Sequence, residues 1–428
     1  MRTYDTYKDS GISWLGQIPS HWDVKRLGSY FTERRQKVSD KDYEPLSVTK
    51  QGIFPQLENV AKTNDGDNRK LVRKGDFVIN SRSDRKGSSG VSELDGSVSL
   101  INIVLEPHQS IIPAFCNFLL KSHGFIEEYY RIGRGIVADL WTTRYQEMKF
   151  MPLAVPPLAE QEAIVAYLDS TTAEIDKAIA SQQRMVELLQ ERKQIIIESA
   201  VTKGIDSNAE FKDSGLKYLG LIPNTWNTIR LGYCSWIRAR LGWKGLTADE
   251  YVDEGYPFLS AFNIINNLLV WSPLNFISKF RFDESPEIKL RVGDILLVKD
   301  GAGIGKCARV DDLPCGEATA NGSLVFITPD DTFDYRYLYY FLISNCFKQF
   351  TELLINGQGV PHLTQEVLKR VRVPRPPKEI QVRIVEQLDK AVKEINASIA
   401  SCDVIINKLQ ERKQILINDV VTGKIKVV

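Results

Sequence analysis

PPLAEQEAIVAYLD, residues 156–169, returns as PPKEIQVRIVEQLD, residues 376–389. The likeness runs on without a gap. AEIDKAIASQQ (173–183) is answered by KEINASIASCD (393–403), and LLQERKQIIIESAVTKGI (188–205) by KLQERKQILINDVVTGKI (408–425), all at an offset of 220. Ile164, Leu168, Thr171, Ile175, Ala178, Gln182, Met185, Leu189, Arg192 and Ile196 step by four and three, the spacing of a coiled-coil seam. Ile384, Leu388, Ala391, Ile395, Ser398, Cys402, Ile405, Leu409, Arg412 and Leu416 repeat it. Flanking Ile179, Val186, Ile195, Ile399, Ile406 and Ile415 widen the stripe, so each helix is expected to pack on more than its twin. Pro-Pro opens each helix where a missing N–H costs nothing, and Gly204 or Gly423 closes it.

A second repeat lies further out. KDSGISWLGQIPSHWDVKRLGSYF (8–31) is answered by KDSGLKYLGLIPNTWNTIRLGYCS (212–235) at an offset of 204. Trp14/Tyr218, Ile18/Ile222 and Trp22/Trp226 are expected to pin each arm onto its domain as core residues. GDFVIN at 75 answers GDILLV at 293, INIVLEP at 101 answers SLVFITP at 323, and FLLKS at 118 answers FLISN at 341. GRGIVADLWTTRYQEMKFMPLAVPP then answers GQGVPHLTQEVLKRVRVPRPP: a glycine loop, a short helical turn, a strand and the proline gate. The offset drifts between the repeats, so the insertions fall in unlike middles. The order is globule, rod, globule, rod. Each globule ends where a rod begins, which predicts antiparallel rods and brings GKIKVV (423–428) back beside the N-terminal arm in a near-closed ring.

A chain of 428 residues is too long for one ordinary core. Its 43% hydrophobic and 25% charged residues fit a soluble globular protein, with the cytoplasm as the default. No apolar run reaches membrane-spanning length, and the first residues contain no signal-peptide core. Six cysteines without a Cys-x-x-Cys pair and four scattered histidines offer no zinc spacing. A net charge of +1 argues against an indiscriminate polyanion binder and leaves room for local basic patches.

The paired PP-x3-EQ/IQ-x2-IV-x2-LD openings, the LQERKQ runs and the glycine loops before them resemble the specificity (S) subunits of type I restriction-modification enzymes, over the whole chain. The second opening departs from the pattern, with Ile380 where the first has Glu160. The resemblance implies an α+β fold: two mixed α/β target-recognition domains, separated by two long antiparallel helices forming a coiled coil, with pseudo-two-fold symmetry. The domains are expected at 1–154 and 205–374, and the spacer helices at 155–204 and 375–428. It also implies double-stranded DNA with a bipartite target as ligand. Two methyltransferase (M) subunits would bring S-adenosylmethionine, and restriction (R) subunits ATP and Mg; no cofactor is expected in this chain. Ile164, Leu168, Ile175, Leu189, Ile196, Ile384, Leu388, Ile395, Leu409 and Leu416 are the residues expected to pair the helices or meet partners.

Base edges are read by Arg, Lys, Asn and Gln, and phosphates by any cation. In the first domain the candidates are Arg82, Arg85 and Lys86 in NSRSDRKGSSG, Arg134 between two glycines, and Thr142, Thr143, Arg144 and Tyr145. In the second they are Arg238, Arg240, Trp243 and Lys244, which interleave basic and aromatic groups, with Lys299, Lys306, Gln358 and His362. A solvated surface charge or a core aromatic is the simpler reading of any one of them. DGAGIGK (300–306) lacks both the full dinucleotide fingerprint and the Walker Gly-Lys-Ser/Thr, and reads as a hairpin with a lysine tip. No adenine-methylase Asn/Asp-Pro-Pro-Tyr/Phe, nucleophile elbow or paired carboxylates stands out, so no catalysis is expected within the chain. The competing readings are a coiled-coil adaptor without DNA specificity, and an enzyme using the 300–306 loop.

Overall fold

Each proline gate is the first turn of a long helix. The computed structural model describes residues 2–57, 66–135, 141–240, 246–301, 303–355 and 363–427. The amides of Glu160 and Gln161 donate to the Pro157 carbonyl, and those of Ile380 and Gln381 to the Pro377 carbonyl. The helices then run over Leu158–Lys203, 46 residues, and Lys378–Val421, 44 residues. Gly204 and Gly423 follow at φ +76° and +77°, the left-handed conformation that glycine supplies at a helix end.

The chain divides into two compact units, residues 1–183 with 402–428, and residues 184–401. In the first unit Ile164, Leu168 and Ile175 share a core with Leu416, Val420 and Val421. The Lys413 ammonium lies 2.7 Å from both carboxylate oxygens of Asp176. In the second unit Ile197, Ala200 and Val201 share a core with Ile384, Val385 and Leu388. There Lys193 donates to the side chain of Asn396 at 3.1 Å. The start of one helix thus meets the end of the other within each unit, so the segments run antiparallel. Lys193 and Lys413 occupy one repeat position, and Asp176 and Asn396 another, so the same cross-helix contact is made twice.

The spacing set out above holds at Ile164, Leu168, Ile175, Ile384, Leu388, Ile395, Cys402 and Leu416, all buried, and departs from the covered side around 185–192 and 405–412. Met185 and Ile405 are exposed (50% and 43%), and Arg192 and Arg412 also face solvent. Ile179, Val186 and Lys193, with Ile399, Ile406 and Lys413, are the partly covered residues there. Leu189, Ile196 and Leu409 are likewise only half-covered. Two seams one residue apart fit the same string of aliphatic residues; packing favours the one that lets the lysine stems lie along the partner helix, head groups reaching its polar residues.

Each unit carries a four-stranded antiparallel sheet of the same strand order. In the first it runs Ser89–Val91, Phe77–Asn80, Asn102–Pro107, Phe31–Glu33; in the second, Cys307–Arg309, Ile295–Val298, Leu324–Pro329, Ser235–Arg238. The second strands are buried throughout, as FVIN and ILLV demand. Helices Pro113–Leu120 and His123–Arg131, and Tyr335–Leu342 and Asn345–Ile355, follow each sheet. A last strand, Pro152–Val155 or Arg372–Arg375, pairs with the arm strand Asp23–Arg26 or Asn227–Arg230 and leads into the long helix. The middles differ. The first unit adds a three-stranded sheet of Gly96–Val98, Arg69–Val72 and Lys37–Val38. The second adds a four-stranded one in which Tyr256–Leu259 and Thr319–Ala320 run parallel.

The glutamine of each helix opening couples globule to helix. Gln161 is fully buried; its amide donates to the carbonyls of Ser110 and Pro156 and accepts from Ile112 N–H at the head of the helix Pro113–Leu120. Gln381 repeats every bond, to Thr332 O, Pro376 O and Asp334 N–H. At the other end Trp22 and Trp226 are buried against the helix-ending Gly423 and Gly204. Glu160 accepts from Tyr4, Trp22 and His21 in the first unit. Ile380 stands in its place in the second, beside Trp226 and Pro223 on a cavity wall, so a carboxylate there is not needed for the fold. No helix among the described residues is long and apolar enough to cross a membrane.

Candidate nucleic-acid interface

The loop after each buried sheet strand is held against the segment that follows the glycine loop by one shared hydrogen bond. In the first unit Thr143 N–H donates to Ser81 O at 3.0 Å; in the second Leu363 N–H donates to Lys299 O at 3.1 Å. In the first unit the frame extends further. Arg134 and Thr142 exchange backbone hydrogen bonds of 3.0 and 3.2 Å, and Ser83 N–H reaches Trp141 O at 2.9 Å. Arg82 bridges the same Thr142. Tyr130 supports the loop from below, its hydroxyl donating to the carbonyls of Asn80 and Arg85.

Arg82, Arg134 and Arg144 thus converge on one backbone frame, all exposed, and none is in an ion pair among the described residues. Arg85 is exposed, 3.7 Å from Asp84, and Lys86 is paired with Glu127 at 2.7 Å. Three surface guanidiniums, without an ion pair among the described residues, make a site for phosphate or guanine. Thr142 is half-buried in the frame itself. Two expected readers are anchors instead. Thr143 is 1% exposed and donates to Tyr129 O, which leaves its side chain unavailable to a ligand, while the half-buried Tyr145 donates its hydroxyl proton to Phe31 O.

In the second unit Lys306 is exposed beside the turn that closes the 299–306 hairpin, where Val298 N–H reaches Lys306 O and Gly305 N–H reaches Val298 O. Lys299 is held 2.8 Å from Asp300. Trp243, Lys244, Gln358 and His362 lie outside the described residues. Arg238 is a correction: at 4% exposure it is a core residue, 2.7 Å from Asp294, and it also donates to Glu287 O and Thr328. Burial pushes its guanidinium pKa down, against the pull of Asp294. Arg240 is largely covered too, with its side chain 11% exposed and 3.6 Å from Glu284. Arg238 ends the edge strand Ser235–Arg238 and turns to the acid of the Gly-Asp turn, and Arg240 lies two residues beyond that strand.

The repeat held the signal for Arg238. Arg34, 204 residues earlier, likewise pairs with Asp76, there through two nitrogens at 2.7 and 3.1 Å where Arg238 uses one, and Asp76 is the acid of the first Gly-Asp turn as Asp294 is of the second. Each aspartate also accepts from the backbone of the turn, Arg73 N–H or Arg291 N–H at 2.8 Å, with Gly75 and Gly293 at φ +93° and +92°. No group of three metal-ligating side chains occurs among the described residues.

Comparison with known proteins agrees with this architecture. The family described as the type I restriction modification DNA specificity domain matches residues 223–401. The chain is 24% identical over 424 residues to the type I restriction enzyme MjaVIII specificity subunit of Methanocaldococcus jannaschii, covering 96% of this chain and 94% of that protein. A second protein of that organism, the putative type I restriction enzyme MjaX specificity subunit, is 22% identical, with 96% of each covered. Among solved structures, a chain from a study of assembly and conformational transition of the type I R-M system superposes with a TM-score of 0.71 at 18% identity, covering 95% of this chain and 99% of that one. The HsdS subunit from Thermoanaerobacter tengcongensis gives 0.50 at 19%, covering 95% and 98%, and at such identities these two matches speak for the fold. In its domain match, its full-length relatives and its fold, the chain is similar to the specificity subunits of type I restriction-modification systems.

Proposed function

We propose that each unit reads one half of a split DNA target through the loop that follows its buried sheet strand, and that the long helices space the readers and dock methyltransferase subunits. The observation that carries this reading is the shared backbone bond, Thr143 to Ser81 and Leu363 to Lys299. One frame displays two unlike loops, SRSDRKG and KDGAGIGK, as a bipartite target requires. Arg82, Arg134 and Arg144 in the first unit and Lys306 in the second are the cations offered to DNA.

Docking is supported by apolar side chains that neither helix covers. Met185, Leu188 and Ile195 on the first are 50%, 44% and 59% exposed, and Val404, Ile405 and Ile415 on the second 52%, 43% and 54%. Such exposed rows mark partner surfaces. Catalysis, with S-adenosylmethionine, ATP and Mg, then belongs to the partner subunits.

The test maps methylated adenines in DNA treated with this chain and its modification partner. Replacing residues 32–130 by those of a relative should alter one half of the methylated sequence and leave the other intact. Alteration of both halves would overturn the modular reading, and methylation without sequence preference would leave the adaptor.

A further inference from the structure

Beside the strand pair that closes each globule, an exposed aromatic ring lies against cations, two in the first unit and one in the second, the equivalent arginine taking part in both but the ring being supplied from opposite sides. In the first unit the Arg26 guanidinium lies 5.2 Å and the Lys149 ammonium 5.0 Å from the centre of the Phe150 ring, which is 55% exposed. In the second, Arg230, the repeat of Arg26, lies 5.9 Å from the Tyr233 ring, 71% exposed. Phe150 corresponds to Arg370, and Tyr233 to Ser29. The motif's glycine makes the approach possible: a Cβ at Gly28 would meet Lys149 Cβ at 3.3 Å, and one at Gly232 would meet Lys369 Cβ at 2.8 Å.

Charge selects the ligand. Neither Arg26 nor Lys149 is in an ion pair among the described residues; nor are Arg230 and Arg370, while Lys369 is held by Glu366. Two cations on one ring repel each other and are stabilised by an anion between them. Lys149 directly follows the short helix Tyr145–Met148, and Arg144 of the reader frame directly precedes it, so patch and frame are one helical turn apart. A feature kept in both units, while their middles differ, suits a ligand that is the same at both half-sites.

We infer that Arg26, Lys149 and Phe150, and Arg230, Tyr233 and Arg370, grip the sugar-phosphate backbone of DNA flanking each half-site. This rests on the target-reading function proposed above. The cations contact phosphate and add affinity without sequence preference, and the rings hold the long side chains in place.

The experiment uses the complex with its modification partner and measures affinity for target and scrambled duplexes across a salt series. Arg26→Gln with Lys149→Gln should weaken both duplexes equally, by about tenfold near physiological salt, and lower the salt slope by about two. Phe150→Leu should give a smaller loss of the same kind. Unchanged affinity, a loss confined to the target duplex, or failure of the variant to assemble with its partner would each overturn the inference, the last pointing to a protein-docking patch. A wild-type complex that does not distinguish the two duplexes would defeat the target-reading proposal, while the salt slope still judges the patch.

Discussion

Arg82 and Arg238 are both basic residues at or just past the end of a strand, yet one is exposed on a loop and the other is 4% exposed in an ion pair. Their variants should therefore fail differently. Arg238→Met strands the Asp294 carboxylate without a countercharge, and loss of one partner of a buried pair costs about 3–5 kcal/mol. A lowered Tm is expected, matched by Arg34→Met in the other unit. Arg82→Ala should leave Tm unchanged and cost the assembled complex about 1–3 kcal/mol of discrimination at one position of one half-site, measured by competition binding. Equal Tm losses for Arg82→Ala and Arg238→Met would contradict this assignment. Polarity and loop propensity made both arginines candidates, because they do not say which way a strand residue points. The pairing Arg34/Asp76 and Arg238/Asp294 was legible as a repeat, but only when the arm offset of 204 and the turn positions were read together.

Among the elements, the two long helices were the most legible, since a proline gate, some forty residues of aliphatic spacing and a closing glycine leave little else for the chain to form. Their contact phase was less so, because Ile179 and Ala178, or Val186 and Met185, serve equally well until a partner helix is present. The cross-helix contacts give a direct check. Lys193 is partly buried, which lowers its pKa, and faces the neutral Asn396 where Lys413 faces Asp176. Asn396→Asp should raise stability by up to about 1 kcal/mol, with the gain vanishing at high salt. A loss of Tm at low salt would show that the contact is not the one described. The glutamine coupling predicts a larger effect in the other direction. Gln161→Leu leaves two carbonyls and one N–H without their partner, at about 1–3 kcal/mol for each group that stays dry, and Gln381→Leu should match it in its own unit. Equal decreases in Tm for the two variants are the expected reading.

At the scale of the whole molecule, one joint is made in two ways. In the second unit the helix Leu158–Lys203 passes through Gly204 directly into the arm whose Trp226 packs on that glycine. In the first unit Trp22 packs on Gly423 in the same manner, but here the arm and the helix end belong to distant parts of the chain, joined by the bridge between Arg2 and Lys426 and the bond from Lys426 N–H to Arg2 O. A covalent joint and a non-covalent one therefore hold the same contacts, and exchanging them should be tolerated. Linking residue 427 to residue 2 through about four Gly/Ser residues spans a bridged pair easily. The ring can then be opened between Ser207 and Asn208, in the exposed turn where Asn208 N–H meets the Asp206 side chain. The permuted chain is expected to fold with a Tm within a few degrees of the parent and to direct methylation to the same sequence. Loss of folding, with the same linker tolerated in the closed, uncut circle, would show that the direct passage from helix to arm at 203–211 is required, and that the two joints are alike only in their contacts.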